Sequence, residues 1–180
     1  MKRQRSIILG ITGSIAAYKA CDIVSLLTKK GHSVIVLLTK EAQEFVTPLT
    51  LQTLSRNKVI TDMFALPETW SPVHTSLADA ADIILIAPAT AHAIGKLAHG
   101  LCDDIISCVV LAARAPVVIA PAMNEVMYQQ PAVQENVALL KKRGYIFVGP
   151  VKGRLACGHE AIGHIAEPAA IVSEVSRRLR

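Results

Sequence analysis

The chain has 180 residues and a net charge of +5, and is 52% hydrophobic but only 4% aromatic, which gives one domain with a sizeable core. Its apolar residues are mostly Ala, Val, Ile and Leu, as in buried parallel strands covered by helices. No apolar run reaches bilayer-spanning length and no basic–aromatic stripe suits nucleic acid, so neither a membrane nor a nucleic acid is expected as partner.

Much of the charge excess lies at the ends, in Lys2, Arg3, Arg5, Arg177, Arg178 and Arg180, and a modest positive field of this kind favours a phosphorylated ligand. The apolar run at 7–9 is broken at once by Gly10-Ile11-Thr12-Gly13, which argues against a signal peptide and for a cytoplasmic protein. Cys21, Cys102, Cys108 and Cys157 form no CxxC pair, and no disulfide is expected.

In chain order, the pattern predicts a strand over 6–11 and a helix over 14–30, with Ile15, Ile23, Leu26 and Leu27 on one face and Gly31 as its stop. A strand follows over 33–38, then short helices over 40–45 and 48–55, a short strand over 58–60 and a short helix over 74–80. The next strand covers 82–87 and is followed by a loop at 90–93. A helix over 103–113 is expected to carry Asp103 and Asp104 in its first turn, where carboxylates are favourable. A strand over 117–120, a helix over 131–143 stopped by Gly144 and a last strand over 145–148 come next. The stretch 149–167 reads as a long glycine-containing loop, a flap over the site, and Pro168 opens a C-terminal helix. This alternation predicts a doubly wound parallel sheet with helices on both faces, forming a single domain over 1–180.

In such sheets ligands bind beyond the strand ends. The first turn, Gly10-Ile11-Thr12-Gly13-Ser14, is either a plain turn with Ser14 as helix cap or a phosphate site, in which Gly13 permits close backbone approach and the Ser14 hydroxyl faces a phosphate at the positive helix end. The GxGxxG fingerprint is absent, and the second strand ends in Leu38-Thr39-Lys40 with no acid to hold a ribose. A mononucleotide phosphate on Gly13, Ser14 and Thr39, as in FMN, fits better than NAD. Past the 117–120 strand comes Pro121-Ala122-Met123-Asn124-Glu125-Val126-Met127-Tyr128. Asn124 there either caps the next helix or grips a carboxylate or amide.

Six segments in this order resemble one family. They are Gly10 to Ser14; His74 with Ser76-Leu77-Ala78; Pro88-Ala89-Thr90-Ala91-His92; Gly95-Lys96-Leu97-Ala98-His99-Gly100; Ala120 to Met127; and Leu155-Ala156-Cys157-Gly158. Together they look like the flavin-containing cysteine decarboxylases, with the phosphopantothenoylcysteine decarboxylase branch the nearest. The resemblance implies a flavodoxin-like, Rossmann-like fold, bound FMN and a homo-oligomer built from trimers (a trimer or dodecamer), with the active site at a subunit interface. It further implies a redox-neutral decarboxylation of 4'-phosphopantothenoylcysteine in coenzyme A synthesis. The substrate thiol is oxidised toward a thioaldehyde, carbon dioxide leaves, and the resulting enethiolate is reduced to 4'-phosphopantetheine. A separate phosphopantothenoylcysteine synthetase is the implied pathway neighbour of this stand-alone form.

By the same resemblance, His74 is the base or the group that orients the cysteinyl end, and Cys157 is the proton donor of the reductive half. Asn124 holds the substrate carboxylate, with Met127 and Ala156 beside it. Gly13, Ser14, Thr39, Thr90, Ala91, His92, Ala93 and Ala122 contact FMN, and no metal is expected. The family's flavin loop usually reads Ser/Thr-Ala-Asn-Thr, whereas here it is Thr90-Ala91-His92-Ala93. Its flap usually carries Gly-x-Gly-x-Met where this chain has Ala161, Gly163 and Ile165, and His164 stands where small or basic residues are common. Two related functions share these features: a peptidyl-cysteine decarboxylase, and a non-catalytic flavodoxin-like regulator. A zinc site on Cys157, His159 and His164 has no evident fourth ligand.

Overall fold

The computed structural model describes residues 4–64, 72–154, 158 and 160–179. Five strands lie at its centre: β1 (Ser6–Ile11), β2 (Ser33–Leu38), β3 (Ile83–Ala89), β4 (Val117–Pro121) and β5 (Ile146–Phe147). All neighbours are parallel, in the order β2-β1-β3-β4-β5. This is the flavodoxin-like order. It reverses direction between β1 and β3, which opens a crevice at the carboxyl ends of those two strands. The strands are Val/Ile/Leu-rich because both faces are covered, and every residue of β3 is buried.

Side-chain alternation divides the core in two. Ile7, Leu9 and Ile11 face a layer made by α1 (Ala20–Lys29), α2 (Pro48–Ser55) and α8 (Pro168–Arg178). Ile8, Ile84 and Ile86 face the opposite layer, made by α3 (Val73–Ala80), α4 (Ala91–His99), α5 (Ile105–Ala112) and α7 (Pro131–Lys142). The short α6 (Glu125–Gln129) lies between β4 and α7.

The structure corrects several expectations. The helix expected over 14–30 begins as a 3-10 turn, Ile15–Lys19, before α1. Residues 90–93 are not a loop: Thr90 caps α4, whose apolar stripe is only Ile94, Leu97 and Ala98 among small residues. Asp103 lies outside α5, and Asp104 is its N-cap in a reciprocal capping box with Ser107. The segment 58–60 contributes a single bridge, Leu37 to Ile60, and the last strand is two residues long. The stretch 149–167 contains an antiparallel hairpin, β6 (Val151–Arg154) and β7 (Glu160–His164). Cys102 and Cys108 are paired, against the expectation of no disulfide. The Asp104 cap turns the chain back on the first turn of α5 and brings their Cα atoms to 4.9 Å.

The C-terminal helix carries an acid-sensitive contact. Glu174 accepts hydrogen bonds from Arg177 and Arg178 at 2.7 to 2.9 Å, and these hold its pKa at about 2. Its folded pKa lies below the ordinary carboxylate value, so the contribution is full above that value and is lost as pH falls toward 2. Glu174→Gln is therefore expected to flatten the acid limb of a stability-against-pH curve in that window, because it removes the contribution present at neutral pH and leaves stability near pH 2 almost unchanged. An unaltered acid limb would remove Glu174 from the pH response.

Candidate active site

Four chain segments leave the sheet at the crevice, and each one turns a side-chain oxygen back onto the backbone. Ser14 Oγ accepts from Ala16 N at 3.3 Å. Thr39 Oγ1 accepts from Ala42 N at 3.2 Å, and Thr90 Oγ1 from Ala93 N at 3.2 Å. Asn124 Oδ1 accepts from Val126 N at 2.9 Å and Met127 N at 3.4 Å. With those oxygens engaged, the Ser and Thr hydroxyl hydrogens and the Asn124 Nδ2 amide are left to donate. Capping and ligand binding at Asn124 are therefore compatible, because the cap aims the amide. The result is a crevice lined with donors, which suits a ligand bearing anionic or carbonyl oxygens.

Buried Thr12 ties the first and third strand ends together. Its Oγ1 donates to Pro88 O at 2.8 Å and accepts from Thr90 N at 3.0 Å. Gly13 sits under the turn that follows β2, and a Cβ there would stand 2.4 Å from Glu41 Cβ. Only glycine lets these two strand ends close against each other.

Two adjoining cavities share Gly13, Thr90, Ala91 and Met127. The larger, about 600 Å³, also takes in Ser14, Ala122, Asn124, Lys19, Arg154 and His164. The smaller, about 460 Å³, takes in Thr39, His92, Ala93, Lys96, Asp103 and Asp104. Of the expected site residues, Gly13, Ser14, Thr39, Thr90, Ala91, His92, Ala93, Ala122, Asn124 and Met127 thus converge on one crevice. His74 does not: it lies half-buried on α3 and lines neither cavity. Cys157 and Ala156 lie outside the described residues, as do His159 and Trp70.

Sequence reasoning missed three participants. Lys19 lines the larger cavity with its side chain 14% exposed, paired with Glu167 at 3.3 Å. Arg154 ends β6 at the same cavity. Lys96 donates to Asp103 at 2.6 Å and also to Asp104. Burial opposes the charge on Lys96, but the two carboxylates outweigh it and raise its pKa, while the Lys96 hydrogen bond lowers that of Asp103. Lys19, five residues past Ser14, was legible as a cation near the first turn. The other two depend on contacts between distant segments.

The flavodoxin-like sheet with a donor-lined crevice at its reversal point defines a mononucleotide-binding class of α/β protein. The flavoprotein family matches the chain over residues 1–180, and the chain belongs to that family. It is 48% identical over 172 residues to the coenzyme A biosynthesis bifunctional protein CoaBC of Bacillus subtilis, covering 96% of this chain and 42% of that protein. The chain thus spans less than half the length of this relative. A probable phosphopantothenoylcysteine decarboxylase of Streptococcus mutans is 43% identical over 177 residues, covering 97% of this chain and 99% of that one. Among solved structures, a mutant PPC decarboxylase complexed with pantothenoylaminoethenethiol superposes with a TM-score of 0.88 at 30% identity, covering 97% and 98% of the two chains. The FMN binding protein AtHal3 does so with 0.87 at 31% identity, covering 97% and 96%. Among the described residues, no helix is long and apolar enough to cross a membrane.

Proposed function

We propose that this chain is an FMN-dependent decarboxylase that converts 4'-phosphopantothenoylcysteine to 4'-phosphopantetheine in coenzyme A biosynthesis. The observation that carries the reading is the donor-lined crevice at the β1/β3 reversal, made by four capping side chains that spend their oxygens on the backbone.

The residues present fit a flavin mononucleotide. Gly13, Ser14, Thr39 and Thr90 offer backbone and hydroxyl donors, and the first turn of α4 brings the positive end of a helix dipole to the same place. Ala91 and Ala122 supply small apolar walls for a planar ring, with His92 and Ala93 at the rim. Bound flavin would supply a reversible two-electron acceptor beside the substrate thiol.

The protein's own task is then to hold the acyl-cysteine and to move protons. Asn124 Nδ2 binds the carboxylate through a neutral amide. A cation there would stabilise the ground-state charge that must be lost, so an amide favours departure of carbon dioxide. Met127 packs beside it. Removal of two electrons from the cysteine side chain gives a thioaldehyde, and its C=S group takes up the electron pair released with carbon dioxide. The resulting enethiolate receives a hydride equivalent and a proton, so the overall reaction is redox-neutral. Cys157 is assigned that proton delivery. The segment that carries it joins β6 and β7, whose ends, Arg154 and His164, line the cavity. Ala156 is assigned to the same wall.

His74 is assigned the acid–base role toward the thiol. It lines neither cavity of its own chain, which supports a homo-oligomer in which a second copy completes the site. A trimer, or a dodecamer built from trimers, provides such a neighbour, and a separate synthetase is the expected source of substrate.

The test combines the visible spectrum of the purified protein with product mass from phosphopantothenoylcysteine. A flavin spectrum and formation of 4'-phosphopantetheine are expected. Cys157→Ser should still release carbon dioxide but accumulate the oxidised enethiol. A colourless protein that stays inactive with added FMN would overturn the reading, and full product formation by Cys157→Ser would remove that residue from the reductive half.

A further inference from the structure

The side chains that surround the larger cavity donate through Asn124 Nδ2, the Ser14 and Thr90 hydroxyls, and the Lys19 and Arg154 cations. His164 departs from this pattern. It ends β7 and lines the cavity beside Asn124 and Arg154. Three contacts fix it there. Met123 N donates to Gly163 O at 3.0 Å, which docks the strand on the Asn124 loop. Gly153 leaves room for the ring, since a Cβ on it would stand 2.9 Å from His164 Cγ. Nδ1 lies 2.8 Å from Ile165 O.

The last contact decides the chemistry of the ring. A carbonyl oxygen only accepts, so in the neutral imidazole Nδ1 carries the proton and Nε2 is the acceptor. A ligand composed only of acceptors would satisfy the other groups and leave this lone pair without a partner. A ligand with an amide N–H or a hydroxyl along a neutral chain, carboxylate at one end and phosphate at the other, satisfies them all.

We propose that His164 Nε2 accepts a hydrogen bond from an amide N–H or hydroxyl of the substrate's neutral acyl chain. In this way it positions that chain between the carboxylate end at Asn124 and an anionic end near Lys19 and Arg154. The inference rests on the decarboxylase reading and assigns the part of the substrate that does not react. Such a contact is equally strong in the ground and transition states, so its loss falls on KM more than on kcat.

The experiment compares wild type, His164→Leu and His164→Gln as flavin-loaded enzymes on 4'-phosphopantothenoylcysteine, with flavin absorbance recorded for each. Calorimetric binding of phosphopantothenoylserine, which lacks the thiol, is measured in parallel. For His164→Leu, KM and the analogue Kd should rise about tenfold, the size expected for one lost hydrogen bond, with kcat changed by less than about twofold. His164→Gln retains an acceptor and should recover most of the affinity. Unchanged KM and Kd in His164→Leu, equal losses in both variants, or loss of flavin would each overturn the inference. If wild type turns over and His164→Leu matches it, the decarboxylase reading stands and only the role of His164 falls. If wild type neither binds nor turns over the acyl-cysteine, both fall together.

Discussion

Asn124→Asp is expected to keep the fold and abolish most of the activity. Asp accepts from the Val126 and Met127 amides as Asn does, and its charge is favourable at a helix start, so the thermal midpoint should move by no more than about 2 °C. The opposite edge of the side chain changes sign, because the Nδ2 donor becomes a carboxylate oxygen, which in the proposed reading faces the substrate carboxylate. Loss of a charge-assisted hydrogen bond and the added like-charge repulsion together cost about 4 kcal/mol, or about a thousandfold in kcat/KM. Asn124→Ala separates the two roles. It should lose about 1 kcal/mol of stability with the cap, and about ten- to a hundredfold in kcat/KM with the donor. Steady-state kinetics beside thermal melts of the three proteins decide the matter. An Asp variant with near-normal kcat/KM would show that the substrate carboxylate sits elsewhere.

The second large effect belongs to Gly163. Its φ is +133°, in the region that disfavours side chains, and a Cβ would stand 2.2 Å from Met123 O. The obstructing atom is backbone, in the loop that carries Asn124, so the clash cannot be relieved by turning a side chain. Gly163→Ala should cost about 3 kcal/mol or more, or lift the hairpin off that loop if undocking costs less. Hydrogen exchange at the Met123 amide distinguishes the outcomes, since that N–H donates to Gly163 O. If the hairpin lifts, kcat/KM should fall by more than about tenfold, because Arg154 and His164 leave the cavity with it. Gly100→Ala is the control. Gly100 also has positive φ, but nothing lies within 4 Å of an added Cβ, so only about 1 kcal/mol is expected. Equal losses in the two variants would mean that backbone conformation alone, and not the docking contact, explains Gly163.

The layered α/β architecture was legible in the sequence because its signals are local. The runs at 6–11, 33–38 and 117–120 contain enough Ile, Val and Leu to be buried on both faces, and the strands of the structure coincide with them closely. Gly31 and Pro168 mark the end of one helix and the start of another for reasons contained in single residues. The crevice residues were legible for the same reason: turn, hydroxyl and amide residues directly after apolar runs fall at strand ends in any parallel sheet.

Other features depended on tertiary contacts. Helix α4 has an apolar stripe of only three residues, and it becomes a helix once Thr90 caps it and α7 packs against it. The hairpin at 151–164 has a glycine-rich strand composition that carries little signal until its backbone pairs and docks on Met123. The clasp of Lys96 by Asp103 and Asp104 requires that α4 and α5 lie side by side. The sequence by itself determined which residue types stand at the ends of which strands. Only the tertiary structure decided that Asn124 and His164, from distant segments, line one cavity, and that His74 lies away from both cavities. Those properties depend on which backbone groups and which faces lie nearby in space, and chain order does not encode them locally.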